Sequence, residues 1–244
     1  MTFFIMVNTK PIRAVLFCIF FLTAYSGVVI ADQEHIMYQA GAFSLLEAGK
    51  YDQIITVDQM NAEGDFGLGG FEYLDGELIQ LNGTVYQVTS DGVVHTPPGD
   101  TGITFMNTVI FTPDTSITIS NQENRSELEE LITHSLPSSD QIYAIRIDGT
   151  FQEMKIRSIP GQDEPYPPLS SVVANQSVFN LTNTTGTIIG FWFPAWMQGV
   201  NYAGYHLHFL SADQMNGGHI LGCTIENGTA MIDNVTALQV IPYV

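Results

Sequence analysis

The sequence predicts an α+β protein that is mostly β, with mixed sheets, few helices and two β-rich halves. Short segments of alternating polarity are separated by turn dipeptides, as in a chain of hairpin strands. These dipeptides are Asp75-Gly76, Asn82-Gly83 and Asp91-Gly92. Strong helix signals are confined to one segment, 124–135. A proline-rich stretch, 162–169, interrupts the pattern and predicts a boundary between halves at 32–161 and 162–244.

The first half is predicted to open with a strand and two short helical segments before the hairpin strands. These segments are the strand 36–43, a helical turn at 44–49 and a short helix at 56–63. The glycines of GDFGLGGF follow, between Gly64 and Phe71. They lack the lysine and the strand-loop-helix setting of a phosphate-binding loop. We interpret them as flexible backbone beside a tight turn.

A strand, a helix and a hairpin complete the first half. The strand is predicted at 105–111. Helix 124–135 has Asn124 as its N-cap and acidic residues in its first turns, and Pro137 ends it. The segments 143–147 and 150–159 read as a hairpin about Asp148-Gly149. In the second half we expect a short helix at 170–175, a strand at 187–193 and final strands from residue 230.

The first 31 residues have the pattern of an export signal. Lys10 and Arg13 precede an apolar run at 14–30, and a small residue, Ala31, stands before Asp32. We therefore expect a secreted or extracytoplasmic protein whose signal peptide, 1–31, is cleaved before Asp32. An uncleaved anchor is the alternative, because a run of about 17 apolar residues lies at the lower limit for a membrane span.

The charge balance excludes some classes of partner. The 244 residues contain seven Lys+Arg and 25 Asp+Glu, a net charge of −18. A nucleic-acid-binding protein needs a basic face, and so few bases cannot supply one. Stable contact with an anionic membrane after signal cleavage is disfavoured for the same reason. An anionic small molecule remains possible if a metal or a few placed arginines hold it.

Three histidines near the C-terminus form the most specific pattern in the chain. His206 and His208 are two residues apart in GYHLHF, so in a strand their side chains share a face. The segment 211–218 ends in Asn-Gly-Gly and reads as a hairpin loop between strands at 203–210 and 219–225. The loop returns His219 to the first pair. Three imidazoles with an open fourth position are typical of a catalytic zinc site.

Cys223 is the one cysteine left after signal cleavage removes Cys18, so no internal disulfide forms in the mature chain. It lies four residues past His219, which in a regular strand places both side chains on one face. A fourth metal ligand is one reading of Cys223. A small buried hydrophobic residue is the other, and we favour it.

Glu77 and a set of basic residues are the other candidates for chemistry. Alternation places Glu77 on the face of Ile79 and Leu81, where burial would raise its pKa and suit it to hold or pass a proton. The alternative is an exposed turn carboxylate. An arginine reaching the metal pocket, such as Arg146 or Arg157, would grip a carboxylate with two hydrogen bonds. Its alternative is an ordinary surface charge.

Several stretches resemble the acetolactate decarboxylase family between about Met37 and Gly222. These stretches are GDFGLGGFEYLDGELIQLNGTVYQ, YAIRIDGTF and GTIIGFWFPAWMQGVNYAGYHLHFLSADQMNGGH. The resemblance implies two β-rich halves around one zinc ion, a homodimer, and a carboxy-lyase. Its substrate would be 2-acetolactate, a 2-hydroxy-3-keto acid, which is converted to acetoin and CO2 in acetoin biosynthesis with no organic cofactor.

Carried over by motif, the resemblance assigns roles to five residues. His206, His208 and His219 would be the zinc ligands, Glu77 in LDGEL the catalytic glutamate, and Arg157 in KIRS the catalytic arginine.

The chain departs from the family pattern at two points. Gly70 stands where another member has a threonine. The sequence also ends at Val244, before the tail that brings a further glutamate to the metal in longer members. Three alternatives follow: another zinc lyase or hydrolase on the same histidines, an exported non-catalytic metal-binding protein, and an inactive relative.

Overall fold

A computed structural model describes residues 35–242, which fold as two packed sheets. The predicted export signal lies outside this range. Among the described residues, no helix has the length and apolar character to cross a membrane. Among the described residues strands predominate and helices are few and short, so the predicted fold class is confirmed.

The first sheet has eight strands in the order β14-β1-β7-β3-β4-β5-β6, with β2 paired to β7. The pairing of β1 with β14 is parallel and the other pairings are antiparallel. The strands are β1 Ile36–Ala40, β2 Ile55–Thr56, β3 Phe66–Phe71, β4 Glu77–Leu81, β5 Thr84–Val88, β6 Val94–His95, β7 Gly102–Val109 and β14 Ala237–Ile241.

The second sheet has six strands in the order β10-β11-β12-β13-β8, with β9 paired to β13. Because β10 also pairs with β13, the strands β10 to β13 form a closed ring. The strands are β8 Thr115–Ile119, β9 Glu123–Asn124, β10 Ile142–Ser158, β11 Ser177–Phe193, β12 Gly204–Ser211 and β13 Gly217–Val235.

The part of the chain that the structure describes contains four α-helices: α1 Phe43–Glu47, α2 Val57–Glu63, α3 Arg125–Ser135 and α4 Leu169–Val173. Short 3-10 helices lie at Glu72–Leu74 and Ala195–Met197. The predicted N-cap of α3, Asn124, is present. The Asn124 side chain accepts from the Ser126 and Glu127 amides, and the Glu127 side chain accepts from the Asn124 amide. This reciprocal bonding satisfies amides that α3 itself leaves unpaired.

The main core lies between the two sheets. Leu68 and Ile79 of the first sheet pack in one buried cluster with Ile189 and Phe191 of the second. A separate buried cluster fills the closed part of the second sheet. Strand β4 of the first sheet contacts β12 and β13 of the second, and the candidate site lies there.

The predicted hairpin about Asp148-Gly149 is wrong, because β10 runs unbroken from Ile142 to Ser158. Gly149 stands opposite Gly186 on one neighbouring strand and Gly228 on the other. Asp148 is engaged by the side chains of Arg146 and Thr187. In a sequence, a glycine that lets neighbouring strands approach closely looks the same as a glycine in a turn, which explains the wrong prediction.

The interpretation of GDFGLGGF as flexible backbone is also wrong, because β3 is a fully buried strand between β4 and β7. A Cβ on Gly67 would lie 2.2 Å from the Asn107 carbonyl oxygen, and one on Gly69 would lie 2.0 Å from that of Phe105. These two glycines therefore let β3 pack directly against β7.

Residues from both sides of the predicted boundary share each sheet. Strands β8 to β10 precede residue 161 but belong to the second sheet, and β14 follows it but belongs to the first. The connection between β10 and α4 contains that boundary, which therefore does not divide the two sheets.

Candidate active site

The three predicted histidines converge in one cluster. His206 and His208 share a face of β12, and His208 stands directly opposite His219 on β13. The ring centroids are 5.1 Å apart for His206 and His208, 5.2 Å for His206 and His219, and 5.3 Å for His208 and His219. One ring nitrogen of each residue lies within 4.8 Å of the others. The hairpin therefore places the three side chains as the sequence predicts.

Each ring has a buried nitrogen for which the described residues provide no hydrogen-bond partner. These atoms are His206 Nδ1, His208 Nε2 and His219 Nδ1. In His208, Nδ1 lies 2.9 Å from the Leu78 carbonyl oxygen, which can only accept. In the neutral ring Nδ1 therefore carries the hydrogen, and Nε2 presents a lone pair. Buried polar atoms without partners are costly, and a metal ion would satisfy this set.

Burial keeps all three imidazoles neutral. It lowers the pKa of His206 to about 3, and the nearby guanidinium groups of Arg157 and Arg125 lower it in the same direction. The pKa values of His208 and His219 are held well below 6.5, again mainly by burial. Neutral imidazole is the form that binds metals, so the donor set fits a divalent ion such as zinc without the loss of a proton at neutral pH.

Glu77 reaches the cluster from the opposite sheet. It is the first residue of β4 and is 5% exposed, so the alternative of an exposed turn carboxylate is wrong. Its Oε1 accepts from Arg157 Nη1 at 2.5 Å, and its Oε2 lies 3.4 Å from His208 Nε2. Burial raises the pKa of Glu77, while the charge and hydrogen bond of Arg157 lower it in part.

Arg157 is held between the two sheets rather than at the surface. It stands opposite His219 in the pairing of β10 with β13, and its side chain is 12% exposed. Gly218 lets β13 come close to β10 here, because a Cβ on Gly218 would lie 2.4 Å from the Arg157 carbonyl oxygen. Arg146 points elsewhere, to Asp148 and Asn82. The two sheets thus bring Glu77 and Arg157 together across 80 residues of sequence.

Cys223 is not part of the histidine cluster. The pairing of β10 with β13 shifts at Leu221, because Ile156 stands opposite Ile220 and Lys155 opposite Gly222. This extra residue reverses the alternation, so Cys223 lies on the face opposite His219. It packs in the core with Met154, and burial raises the pKa of its thiol to about 11. The reading as a small buried hydrophobic residue therefore agrees with the structure.

A cavity of about 320 Å³ opens beside the histidines. Glu77, Arg157, His206 and His219 are among its polar lining residues. Its apolar wall consists of Phe43, Leu46, Leu74, Phe105, Ile159, Leu169 and Val173. Such a wall limits the access of water, which strengthens electrostatic interactions with a bound substrate.

Gly70 and Arg125 also line the cavity. Gly70 stands opposite Glu77 in the pairing of β3 with β4, so this departure from the family pattern lies within the site. Sequence reasoning assigned Arg125 no role. The signal that could have identified it is the scarcity of Lys and Arg, because each basic residue in so acidic a chain is a candidate to bind an anion.

Comparisons with known proteins identify the family of this chain. The profile of the alpha-acetolactate decarboxylase family matches residues 37–242. An alpha-acetolactate decarboxylase of Methanosarcina mazei is 38% identical over 198 residues, which cover 81% of this chain and 69% of the relative. One of Bacillus subtilis is 37% identical over 196 residues, which cover 80% of this chain and 77% of the relative.

Solved structures show the same fold. The crystal structure of alpha-acetolactate decarboxylase from Bacillus subtilis strain 168 has a TM-score of 0.83 and 35% identity, covering 85% of this chain and 88% of that one. A Staphylococcus aureus protein described as similar to this enzyme also has a TM-score of 0.83, with 26% identity and coverage of 85% and 89%. With the family profile matched over most of its length, the chain belongs to the alpha-acetolactate decarboxylase family and is a carboxy-lyase.

Proposed function

We propose that the protein is an exported, zinc-dependent enzyme that converts 2-acetolactate to acetoin and CO2 for acetoin biosynthesis. Membership of the decarboxylase family supports the reaction. The observation that carries the zinc dependence is a set of three neutral imidazoles whose ligand atoms lie within 4.8 Å of one another and each of which has a buried nitrogen without a hydrogen-bond partner among the described residues.

His206, His208 and His219 would hold the zinc ion. When bound, zinc supplies Lewis-acid chemistry, which stabilises the negative charge that develops on the keto and hydroxyl oxygens as CO2 leaves. The carbonyl of Leu78 accepts from His208 Nδ1 and thereby fixes the orientation and tautomer of that ring.

Arg157 has two functions in this proposal. Its hydrogen bond to Glu77 Oε1 fixes the carboxyl group beside the histidines. Its charge also orients the anionic substrate and favours the negative charge that forms during the reaction. Arginine remains protonated under all ordinary conditions, so Arg157 is poorly suited to donate a proton.

Glu77 is better suited to handle the proton that reaches the prochiral carbon. Burial raises its pKa towards the range in which a carboxyl group both takes up and releases a proton. Its Oε2 lies on the side of the cluster, 3.4 Å from His208 Nε2. The apolar wall of the cavity keeps bulk water from competing for that transfer.

Acetoin formation from racemic 2-acetolactate tests the proposal. The purified protein is assayed as isolated, after chelation, and after zinc is returned. Activity that disappears with the chelator and returns with zinc supports both the reaction and the metal. Ester hydrolysis or CO2 hydration without acetoin would favour another zinc enzyme, and a folded, zinc-loaded protein without any of these activities would be an inactive relative.

Export and assembly as a homodimer are further parts of the proposal. The pattern of residues 1–31 supports export. The exposed apolar side chains of Leu45, Trp196 and Tyr202 are candidates for the contact with a second copy. Mass analysis of secreted protein would show whether the chain begins at Asp32, and light scattering would give its oligomeric state. A monomer, or a chain retained with residues 1–31, would contradict these parts.

A further inference from the structure

The basic residues of this acidic protein are distributed unevenly. Residues 35–242 contain five Lys and Arg: Lys50, Arg125, Arg146, Lys155 and Arg157. Two of the five, Arg125 and Arg157, line the same cavity. With a net charge of −18 the protein repels anions overall, so an anionic substrate depends on local positive charge to enter.

Arg125 is fixed at two points next to the histidine cluster. It is the first residue of α3, and its Nε donates to Glu129 Oε1 at 2.7 Å. Its Nη1 donates to the carbonyl oxygen of Ile220 at 2.8 Å, one residue beyond His219. A guanidinium group has five N–H donors, and within residues 35–242 its Nη2 has no acceptor. The group is therefore oriented, with donors still available to a ligand.

The two arginines that line the cavity differ in where their carboxylate partners lie. Arg157 pairs with Glu77, and both side chains line the cavity, so a carboxyl group beside it reduces, without cancelling, the positive charge that Arg157 presents to a ligand. Arg125 pairs with Glu129, which does not line the cavity. Arg125 therefore lines the cavity, while the carboxylate that pairs with it does not.

We propose that Arg125 binds the carboxylate of the 2-hydroxy-3-keto acid substrate. The assignment rests on the decarboxylase function proposed above. A guanidinium group matches a carboxylate with two parallel hydrogen bonds, which neither the histidines nor Glu77 can offer. Arg125 is thus a substrate-binding residue that selects acids over neutral hydroxyketones.

The chemistry of decarboxylation determines how a loss of Arg125 is expected to appear. The carboxylate charge exists in the bound substrate and disappears as CO2 leaves. An arginine that holds this carboxylate stabilises the substrate at least as well as the transition state, so its removal raises KM and leaves kcat little changed. A residue needed for the chemical step would lower kcat instead.

Steady-state kinetics of Arg125→Met and Arg125→Lys test the proposal. For Arg125→Met we expect KM to rise by roughly 10- to 100-fold with kcat within about threefold of wild type. Arg125→Lys keeps the positive charge without the paired donors, so its KM should lie between those of the wild type and Arg125→Met. Arg146→Met is the matched control, because Arg146 also pairs with a carboxylate at 2.9 Å but does not line the cavity.

Calorimetric binding provides a test that does not depend on turnover. The probes are 2-hydroxy-2-methylbutanoate, which has the carboxylate and hydroxyl but no ketone, and acetoin, which has no carboxylate. Arg125→Met should lose affinity for the acid by the same factor as KM rises and keep its affinity for acetoin. Acid affinity within twofold of wild type would overturn the proposal.

Equal losses of affinity for both probes would also overturn it, because Arg125 would then act only through Ile220 on the shape of β13. Acetoin production by the wild-type protein decides the proposed function separately, and binding of the acid decides the role of Arg125 even if turnover is absent.

Discussion

Within residues 35–242, two groups of side chains are of the types that bind metals in other proteins. The histidine cluster consists of His206, His208 and His219, and the His–Asp cluster of His35, Asp114 and Asp233. In each group one ligand atom per residue lies within 4.8 Å of the others. Residue type and proximity therefore do not distinguish them.

Hydrogen bonding does distinguish the two clusters. His35 Nδ1 lies 2.5 Å from Asp233 Oδ1, and Asp233 Oδ2 accepts from the Thr112 amide. Asp114 Oδ2 accepts from the Asn234 amide. In the His–Asp cluster, hydrogen bonds within the protein thus engage the ligand atoms. In the histidine cluster, each ring keeps a buried nitrogen without a partner among the described residues. Desolvated and unpaired ligand atoms, more than ligand types, indicate the metal site.

The largest expected effect is on metal content. His206→Ala should weaken zinc binding by more than about 100-fold, because even the loss of an outer hydrogen-bond partner costs about 10- to 100-fold. His35→Ala should keep one zinc per chain. Elemental analysis after gel filtration measures both. Zinc retained by His206→Ala but lost by His35→Ala would reverse the comparison.

The next effect concerns turnover at the histidine cluster. Glu77→Gln removes a proton carrier, and Arg157→Lys removes the fixed bond to Glu77, so each should lower kcat by roughly 100-fold or more. Both variants should fold and bind zinc, since neither residue is one of the three histidines. Acetoin assays and elemental analysis give the answer. Near-normal rates in both would refute these roles.

Acid should destabilise the metal-free protein through the histidine cluster. The folded state holds these pKa values low, so below about pH 6.5 the unfolded chain binds protons that the folded chain excludes. Stability that is present at pH 7 is therefore lost as the pH falls towards 5. Thermal unfolding of chelated protein measures this slope. His219→Asn should reduce the slope of unfolding free energy against pH by the equivalent of about one proton. An unchanged slope would contradict the claim that His219 contributes to it.

The His–Asp cluster should affect stability without affecting zinc. Asp233 is fully buried, and Asp233→Asn weakens its hydrogen bonds to His35 and Thr112. We expect a loss of about 1–3 kcal/mol in the free energy of unfolding. Asp114→Asn, at an exposed residue, should change it by less than about 0.5 kcal/mol. Urea denaturation compares the two variants, and equal losses would show that burial is not the cause.

The smallest effect is expected at Gly70. A Cβ there has Leu74 Cδ1 as its nearest neighbour, at 3.4 Å, so Gly70→Ala should leave the free energy of unfolding within about 0.5 kcal/mol. The control Gly69→Ala places a Cβ 2.0 Å from the Phe105 carbonyl oxygen and should destabilise by several times as much. Similar unfolding midpoints for both would mean that β3 adapts more easily than its packing indicates.

Local sequence patterns predicted the parts of the site that depend on local structure. Alternation put His206 and His208 on one face, a short loop returned His219, and capping residues marked the start of α3. The other parts of the site depend on pairing and packing between strands that are far apart in the sequence. The extra residue at Leu221, which turns Cys223 away, and the approach of Arg157 to Glu77 both depend on strands that meet only in the folded protein.

X-ray absorption at the zinc edge of the reconstituted protein tests the central claim most directly. The account predicts a ligand shell with three imidazole groups and no sulfur, reduced by one imidazole or lost in His206→Ala. A shell that contains sulfur, or that is unchanged in His206→Ala, would place the metal away from the histidine cluster and contradict the account.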